Sequence, residues 1–206
     1  MIRNSPRAGR RRSTRKFLIL GICLWGAAAC TQRRTDAQAP LLDCDFVPGL
    51  GEALPKCAYK SGDGHIVVRA EALTTANFGP EGLTWVVIGG ATYFVNREGK
   101  TAPSYANDNG ADYFVEGLAR TLKNGKVGFI SPSLEEVIAP VWDFASPFSN
   151  GLAVVCQGCA FTPAFPDDEH PELKGGHWGW IDKQGRVVVP VVYERFDLPK
   201  RESIAR

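Results

Sequence analysis

The chain has 206 residues with 24 Lys and Arg against 22 Asp and Glu, which gives a formal net charge of +2. Seven basic residues and no acidic ones lie in the first 29 positions, so the remainder has 17 basic and 22 acidic side chains and a net charge of −5. The basic balance therefore belongs to the N-terminal segment, and the rest of the chain lacks the charge pattern of a nucleic-acid-binding protein.

The N-terminal segment predicts a signal peptide at residues 1–29. Its uncharged run, Phe17 to Ala29, is shorter than a membrane-spanning helix requires. Gly26-Ala27-Ala28-Ala29-Cys30 resembles a bacterial lipobox, which implies that Cys30 takes a diacylglycerol and palmitate. Since Thr31 follows the cysteine, the resemblance also implies anchoring in the outer membrane. Cleavage without lipidation, which would give a soluble periplasmic or secreted protein, and an uncleaved anchor are the alternatives.

Four further cysteines follow a short connecting segment. Residues 30–42 are polar and alanine-rich and predict a flexible tether, and residues 43–61 form a cap bracketed by Cys44 and Cys57. With Cys156 and Cys159 the number of cysteines is even, as in disulfide-bonded proteins of oxidising compartments. The four cysteines can pair in three ways, and we favour the one in which both bonds are local in sequence: Cys44 with Cys57, and Cys156 with Cys159. The first would close a loop of about 14 residues and stabilise the fold by about 3 kcal/mol.

Redox catalysis and zinc binding are the other roles that these cysteines could have. Cys156-Gln157-Gly158-Cys159 has the spacing of a thioredoxin-like redox pair, but it follows a strand-like run and precedes prolines rather than opening a helix. All four cysteines could also bind zinc, although Cys44 and Cys57 lack metal-ligand spacing. A structural disulfide is the simpler interpretation.

From about residue 62 the chain repeats itself. A segment with the form Phe-x-x-Gly-Leu begins at Phe78 in an extended version, at Phe114 and at Phe148. A second segment recurs as Tyr93-Phe94-Val95-Asn96, Gly128-Phe129-Ile130-Ser131 and Gly179-Trp180-Ile181-Asp182. The steps are about 35 residues, and the last one is longer because residues 157–177 are inserted.

These segments resemble the WG repeat family. The last copy carries Trp178-Gly179-Trp180-Ile181-Asp182 and then Val187-Val188-Val189-Pro190 and Tyr193-Glu194. The middle copy carries Val127-Gly128-Phe129-Ile130, Trp142-Asp143 and Phe148 to Ala153. The resemblance implies copies at 62–91 (degenerate), 92–126, 127–177 with the insertion, and 178–199 (partial), followed by a tail at 200–206.

The repeats predict a mostly β fold with little helix, in which short antiparallel hairpins stack into a solenoid-like array or an extended twisted sheet. Asn96 to Gly99 and Asp182 to Gly185 have the chemistry of turns that end in a left-handed glycine. A single copy cannot bury its apolar edge, so neighbouring copies should share a core. The predicted core residues of the repeat motif are Phe94, Phe114, Phe129, Trp142, Phe148, Trp178, Trp180 and Tyr193.

No catalytic, metal or cofactor site is predicted. P-loops, nucleophile elbows and dinucleotide fingerprints are missing from the sequence. His65 follows a turn, and His170 and His177 lie in an acidic insertion without metal-ligand spacing. Asp143, Asp182 and Glu194 recur at matching repeat positions, which is more typical of turn residues than of a glycosidase acid pair.

The insertion at 157–177 is the candidate binding segment. Its apolar residues Phe161, Phe165 and Leu173 exceed what a solvated loop needs, although they could also cover a sheet edge. We therefore expect a non-enzymatic envelope lipoprotein that binds an unknown protein or cell-wall partner through its repeat surface. A hydrolase of envelope polymers that uses the recurring acids, and a purely structural spacer, are the alternatives.

Overall fold

The computed structural model describes residues 39–107, 110–163, 165 and 171–204. The predicted signal peptide and residues 30–38, with Cys30, lie outside these residues. Leu41 and Leu42, predicted as the end of the tether, instead belong to the first strand. Strands account for 57% of the described residues and helices for 4%, which confirms the predicted mostly β fold with little helix. The strands are β1 Leu41–Val47, β2 Glu52–Lys60, β3 Ile66–Val68, β4 Leu83–Ile88, β5 Ala91–Asn96, β6 Thr101–Pro103, β7 Ala106–Asn107, β8 Gly110–Ala111, β9 Ala119–Lys123, β10 Lys126–Ile130, β11 Glu136–Trp142, β12 Phe144–Ala145, β13 Leu152–Thr162, β14 Glu172–Asp182 and β15 Val187–Tyr193, with short 3₁₀ helices at Ala70–Leu73 and Arg201–Ser203.

The N-terminal third is one nearly closed antiparallel sheet of order β3-β2-β1-β4-β5-β6. Its two edge strands meet where Val67 pairs with Lys100 and the Val68 N–H donates to the Gly99 carbonyl at 2.9 Å. The Cys44–Cys57 disulfide ties β1 to β2 and faces the interior of this sheet. Because β1 pairs with β4, the segment predicted as a separate cap shares its sheet with the first degenerate copy.

The repeats build three equivalent three-stranded arrangements, namely β4-β5-β6, β9-β10-β11 and β13-β14-β15. In each, the first strand is the end of one copy and the other two belong to the next copy. A copy therefore completes its sheet only with a strand from its neighbour. This is the dependence between copies that the repeat pattern predicts.

An aromatic pair packs inside the core of each of the two middle copies. Phe94 packs on Phe114 with ring centroids 5.0 Å apart, and Phe129 packs on Phe148 at 4.7 Å. In the last copy the Trp180 ring has no such Phe. Instead its Nε1–H donates to the Pro199 carbonyl at 2.9 Å. Of the predicted core residues, five are buried and three are half-buried: Phe94, Phe129, Phe148, Trp178 and Trp180 are buried, and Phe114, Trp142 and Tyr193 are half-buried.

Steric crowding explains why Gly128 and Gly179 are glycines at the matching position of the last two copies. A Cβ on Gly128 would lie 2.4 Å from the Ile138 carbonyl oxygen, and one on Gly179 would lie 2.6 Å from the Val189 oxygen. At both places the next strand bulges towards the glycine, because the pairing register shifts across it. The corresponding residue of the earlier copy is Tyr93, and there β5 pairs with β6 without a shift.

A buried ion pair also links neighbouring copies. The Arg120 guanidinium contacts both carboxylate oxygens of Asp112, at 2.8 and 2.9 Å, and donates to the Ala145 carbonyl of the next copy at 3.3 Å. Both side chains are almost fully buried, and the Arg120 guanidinium lies 4.4 Å from the centroid of the Tyr105 ring. Every charged atom of the pair is thus satisfied, as burial of a charge requires.

Candidate functional site

The inserted segment is a projecting two-stranded ribbon rather than a loop. The ten residue pairs of β13 and β14 run without a register shift from Leu152–Asp182 out to Thr162–Glu172. An inserted loop at 157–177 is therefore wrong in form for 157–162 and 172–177, where the strands continue past their neighbours. The binding role of this segment stays a prediction. Sequence reasoning missed this because Gly158, Gly175 and Gly176 interrupt the strand pattern.

The ribbon has unpaired edges within the described residues. Pairing of β12 with β13 ends at Cys156, and pairing of β15 with β14 ends at Trp178. Beyond those positions neither outer edge of the ribbon has a strand neighbour among the described residues. Such edges are templates for pairing with another chain.

A groove of about 670 Å³ lies between the ribbon and the segment after β15. Phe144 forms its base and contacts Phe161 at 6.5 Å and Trp178 at 5.8 Å between ring centroids. Phe161 is 53% exposed on the ribbon and Phe196 is 94% exposed on the opposite side. The groove therefore presents large apolar side chains to solvent, as interaction sites do.

Arg195 fixes the far wall of the groove to the ribbon. Its Nη1 donates to the Leu173 carbonyl at 2.9 Å, and its guanidinium lies 5.3 Å from the centroid of the Trp178 ring. Leu173, one of the predicted binding residues, is itself buried beneath the groove in a cluster with Cys156, Cys159 and Trp178. Leu173 thus supports the groove, whereas the other two candidates, Phe161 and Phe165, are exposed.

Phe144, Arg195 and Phe196 were not singled out from the sequence. Phe196 lies outside the repeated aromatic positions, and an aromatic residue out of register is the signal that could have identified it. The other two give no sequence signal, because their role depends on how β12 and the segment after β15 meet the ribbon.

The second disulfide lies at the root of the ribbon. Cys156 and Cys159 have Cα atoms 6.2 Å apart and are both buried. Gly176 lies against them, since a Cβ there would be 2.7 Å from the Cys156 Sγ and 2.4 Å from the Cys159 nitrogen. The structure thus has both sequence-local pairings, Cys44 with Cys57 and Cys156 with Cys159.

Two recurring acids are held by nearby hydrogen bonds. Asp143 accepts from the Lys126 ammonium at 2.5 Å and from the Gly158 N–H at 2.7 Å, and these contacts hold the pKa of its carboxyl below the usual value. Burial works to raise the pKa of Asp182, but hydrogen bonds from Arg186 and the Gln184 N–H lower it overall.

The two acids lie far apart along β13. Asp143 contacts this strand at Gly158 and Asp182 pairs with it at Leu152, so about 20 Å of strand separates them at about 3.3 Å per residue. Paired catalytic carboxylates of glycosidases lie about 5–9.5 Å apart. Asp143 and Asp182 do not form such a pair, and Glu194 is exposed at the end of β15.

Side chains that could bind a metal ion do not cluster in the described part of the chain. Within the described residues there is no group of three or more His, Cys, Asp or Glu side chains that could hold a metal ion. His65 and His177 are exposed, and His170 lies outside those residues. No helix in the described part of the chain is both long and apolar enough to cross a membrane.

The family model of the WG containing repeat matches residues 128–158 and 178–206. The first match covers β10 to the root of the ribbon, and the second begins at Trp178 and continues past the predicted end of the repeats at residue 199. Comparison with curated proteins finds no match, and comparison with solved structures finds none either. The ribbon beyond Gly158 lies between the two matched segments and is an addition to the repeat unit.

Proposed function

We propose that this chain, which carries WG repeats at residues 128–158 and 178–206, is a non-enzymatic binding protein of the cell envelope. The repeats form a rigid support, and the ribbon that interrupts them binds an extended segment of a partner protein. The observation that carries this proposal is the position of the groove, which lies where the added ribbon meets Phe144 and the segment after β15.

The chemistry of the groove favours a protein segment as its occupant. Beyond Cys156 and Trp178 the ribbon has no strand neighbour among the described residues, so an incoming strand can pair with its free edges by β-augmentation. Some groups on these edges are already bonded to side chains, as the Leu173 carbonyl is to Arg195. Beside them Phe161 and Phe196 provide apolar contact area for alternate side chains of that strand. Main-chain hydrogen bonds would supply affinity, and the aromatic residues would supply selectivity for an apolar side chain.

The envelope location rests on the leader and on the disulfides. We propose a signal peptide at 1–29 and a lipidated Cys30 that anchors the protein in the outer membrane. Two disulfides are compatible with export, because such bonds persist in oxidising compartments. Metabolic labelling with a palmitate analogue tests the anchor: the wild type should be labelled and Cys30→Ser should not. Equal labelling of both proteins would exclude a lipid on Cys30.

Site-specific photocrosslinking in cells tests the binding site. A photoreactive phenylalanine analogue is placed at position 161 or 196, and for comparison at Tyr113, which is 69% exposed in an earlier copy. We expect discrete adducts with one protein from positions 161 and 196 and none from position 113. Phe161→Glu should abolish the adduct from position 196, while Tyr113→Glu should leave it.

Two outcomes would contradict the proposal. Equal crosslinking from all three positions would place the contact elsewhere on the surface. Absence of adducts from positions 161 and 196 would leave the protein as a spacer, which is the structural alternative. A hydrolase would instead show turnover of an envelope polymer that is lost in an Asp143→Asn variant with an unchanged fold.

A further inference from the structure

The geometry points to the Cys156–Cys159 disulfide as an exchangeable redox site whose co-reactant is a dithiol, and whose opening loosens the groove beside it. The first part stands on the disulfide and its surroundings. The second part, control of partner binding, rests on the function proposed above.

The two disulfides differ in how much they restrain the chain. Cys44–Cys57 spans 13 positions and joins two strands of the N-terminal sheet, whereas Cys156–Cys159 spans three positions within a single strand. The chain-entropy contribution of a disulfide grows with the length of the loop it closes. The short bond therefore contributes less to stability, and the fold can persist when it is open.

The surroundings of the second bond leave a path for a reactant. Cys159 lies between the exposed residues Gly158 and Ala160, and the residue opposite it on β14 is Gly175. Since this glycine has no side chain, nothing from the facing position covers the bond. Cys159 is 7% exposed and Cys156 is fully buried, so Cys159 is the more accessible residue of the two.

The exchange balances as an ordinary two-electron reaction. A thiolate of the dithiol attacks the Cys159 Sγ, the Sγ–Sγ bond breaks, and Cys156 leaves as a thiolate that takes a proton. The second thiol of the reactant then attacks the mixed disulfide and releases Cys159, which is protonated in turn. The dithiol becomes a disulfide, and the protein gains two electrons and two protons.

Opening the bond acts on the groove because the two share one cluster. Cys156 and Cys159 pack with Leu173 and Trp178, and Phe144 lies against the same group. The bond holds the free part of the ribbon at Cys159 to the sheet at Cys156, where pairing with β12 ends. Without it the ribbon is held to the rest of the structure by its backbone and by weaker links: the Arg195 bond to Leu173, the Gly158 N–H bond to Asp143 and the packing of Phe161 on Phe144.

The first test compares the two disulfides in the native protein. Oxidised protein is incubated with graded dithiothreitol, free thiols are trapped with N-ethylmaleimide, and the modified peptides are identified by mass spectrometry. We expect Cys156 and Cys159 to be labelled at a roughly tenfold lower dithiothreitol concentration than Cys44 and Cys57, as the loop lengths imply. Labelling of Cys44 and Cys57 first, or of all four together, would overturn the proposal.

The second test measures the ribbon without any partner. Hydrogen exchange of residues 157–162 and 172–177 should become faster after selective reduction, and equally in a Cys156→Ser/Cys159→Ser variant, while the amides of β1 to β6 keep their protection. If exchange in the ribbon is unchanged, or if protection is lost throughout the chain, opening of the Cys156–Cys159 disulfide does not loosen the ribbon locally and the proposal is wrong.

The two proposals fail separately. If photocrosslinking from position 161 gives no adduct in either redox state while exchange responds, the binding function is wrong and the redox site stands. If adducts form equally in wild type and in the Cys156→Ser/Cys159→Ser variant, the disulfide does not regulate binding. A Cys44→Ser/Cys57→Ser variant is the matched control, and we expect it to leave the adduct unchanged.

Discussion

At the scale of single residues, the repeat glycines Gly128 and Gly179 each make room for a bulge in the following strand. A methyl group at Gly128 would meet the Ile138 oxygen and the Pro140 nitrogen at 2.4 and 2.6 Å, and both are backbone atoms that cannot rotate away. We expect Gly128→Ala to lower the free energy of unfolding by about 1–3 kcal/mol, because the bulged strand must move.

A second glycine provides the control for this substitution. At Gly79 an added Cβ would make only ordinary contacts, at 3.6 and 3.7 Å, and no left-handed conformation is required. Gly79→Ala should therefore change the free energy of unfolding by less than about 0.5 kcal/mol. Urea denaturation of both variants checks the prediction, and equal effects would show that the bulge does not account for the glycine.

The ion pair of Asp143 gives a prediction for pH dependence. Lys126 and the Gly158 N–H lower the pKa of this carboxyl in the folded state, so its stabilising contribution is present above the pKa of the unfolded chain, near 3.9. That contribution is lost as the pH falls through the lower pKa of the folded state. Lys126→Met should raise the Asp143 pKa, measured by carboxyl NMR, and reduce the loss of stability as the pH falls below about 4. Lys123→Met, an exposed lysine on the adjacent strand, should leave the Asp143 pKa unchanged.

At the scale of elements, the three equivalent turns show what the sequence could and could not predict. Asn96 to Gly99 and Asp182 to Gly185 close as predicted, with the glycine N–H donating to the Asn96 or Asp182 carbonyl at 3.1 and 2.9 Å. The turn of the middle copy has the same bond, from Leu134 to Ser131 at 2.9 Å, but with a leucine at φ 61°. No turn rule predicts leucine there, because a bulky residue with positive φ is an outlier.

Tertiary packing explains that leucine. Its side chain is buried with Phe94 of the preceding copy and Ile130 of its own, and burial offsets the backbone strain. We expect Leu134→Ala to destabilise the fold by about 2–5 kcal/mol. Leu134→Gly should be more stable than Leu134→Ala by about 0.5–1 kcal/mol, because only glycine relieves the strain. The reverse order in urea denaturation would show that the left-handed turn is not strained.

The ribbon marks the limit of sequence reasoning at this scale. Its apolar residues identified the segment, but its three glycines and its prolines predicted a loop. The segment forms strands instead of a loop because each residue added to β13 and β14 extends an existing antiparallel ladder. Sequence reasoning therefore located the candidate site and missed its form, together with the wall that Arg195 and Phe196 supply.

At the scale of the whole molecule, the repeats form a chain of interlocked sheets with different ends. The first copies close into the N-terminal barrel-like sheet, whereas the last copy is covered by the segment after β15. There Pro199 stands at the position of Phe148 in the preceding copy, and Arg201 reaches Ser149 at 2.8 Å while its guanidinium lies 5.3 Å from the Trp180 ring. The repeat match that continues to residue 206 agrees with this capping role.

Removal of residues 198–206 tests whether this segment is a cap. Truncation would uncover the Trp180 ring and leave its Nε1–H without the Pro199 carbonyl, so we expect a loss of about 2 kcal/mol in the free energy of unfolding. Because each copy shares its sheet with the adjacent copy, we expect faster hydrogen exchange to be confined to β14 and β15, and the sheet of β1 to β6 to keep its protection. Arg201→Lys, which keeps the charge and the segment, is the matched control and should have a small effect. Uniform loss of protection in the truncated protein would mean that the array unfolds as a single unit and that the copies are coupled beyond their neighbours.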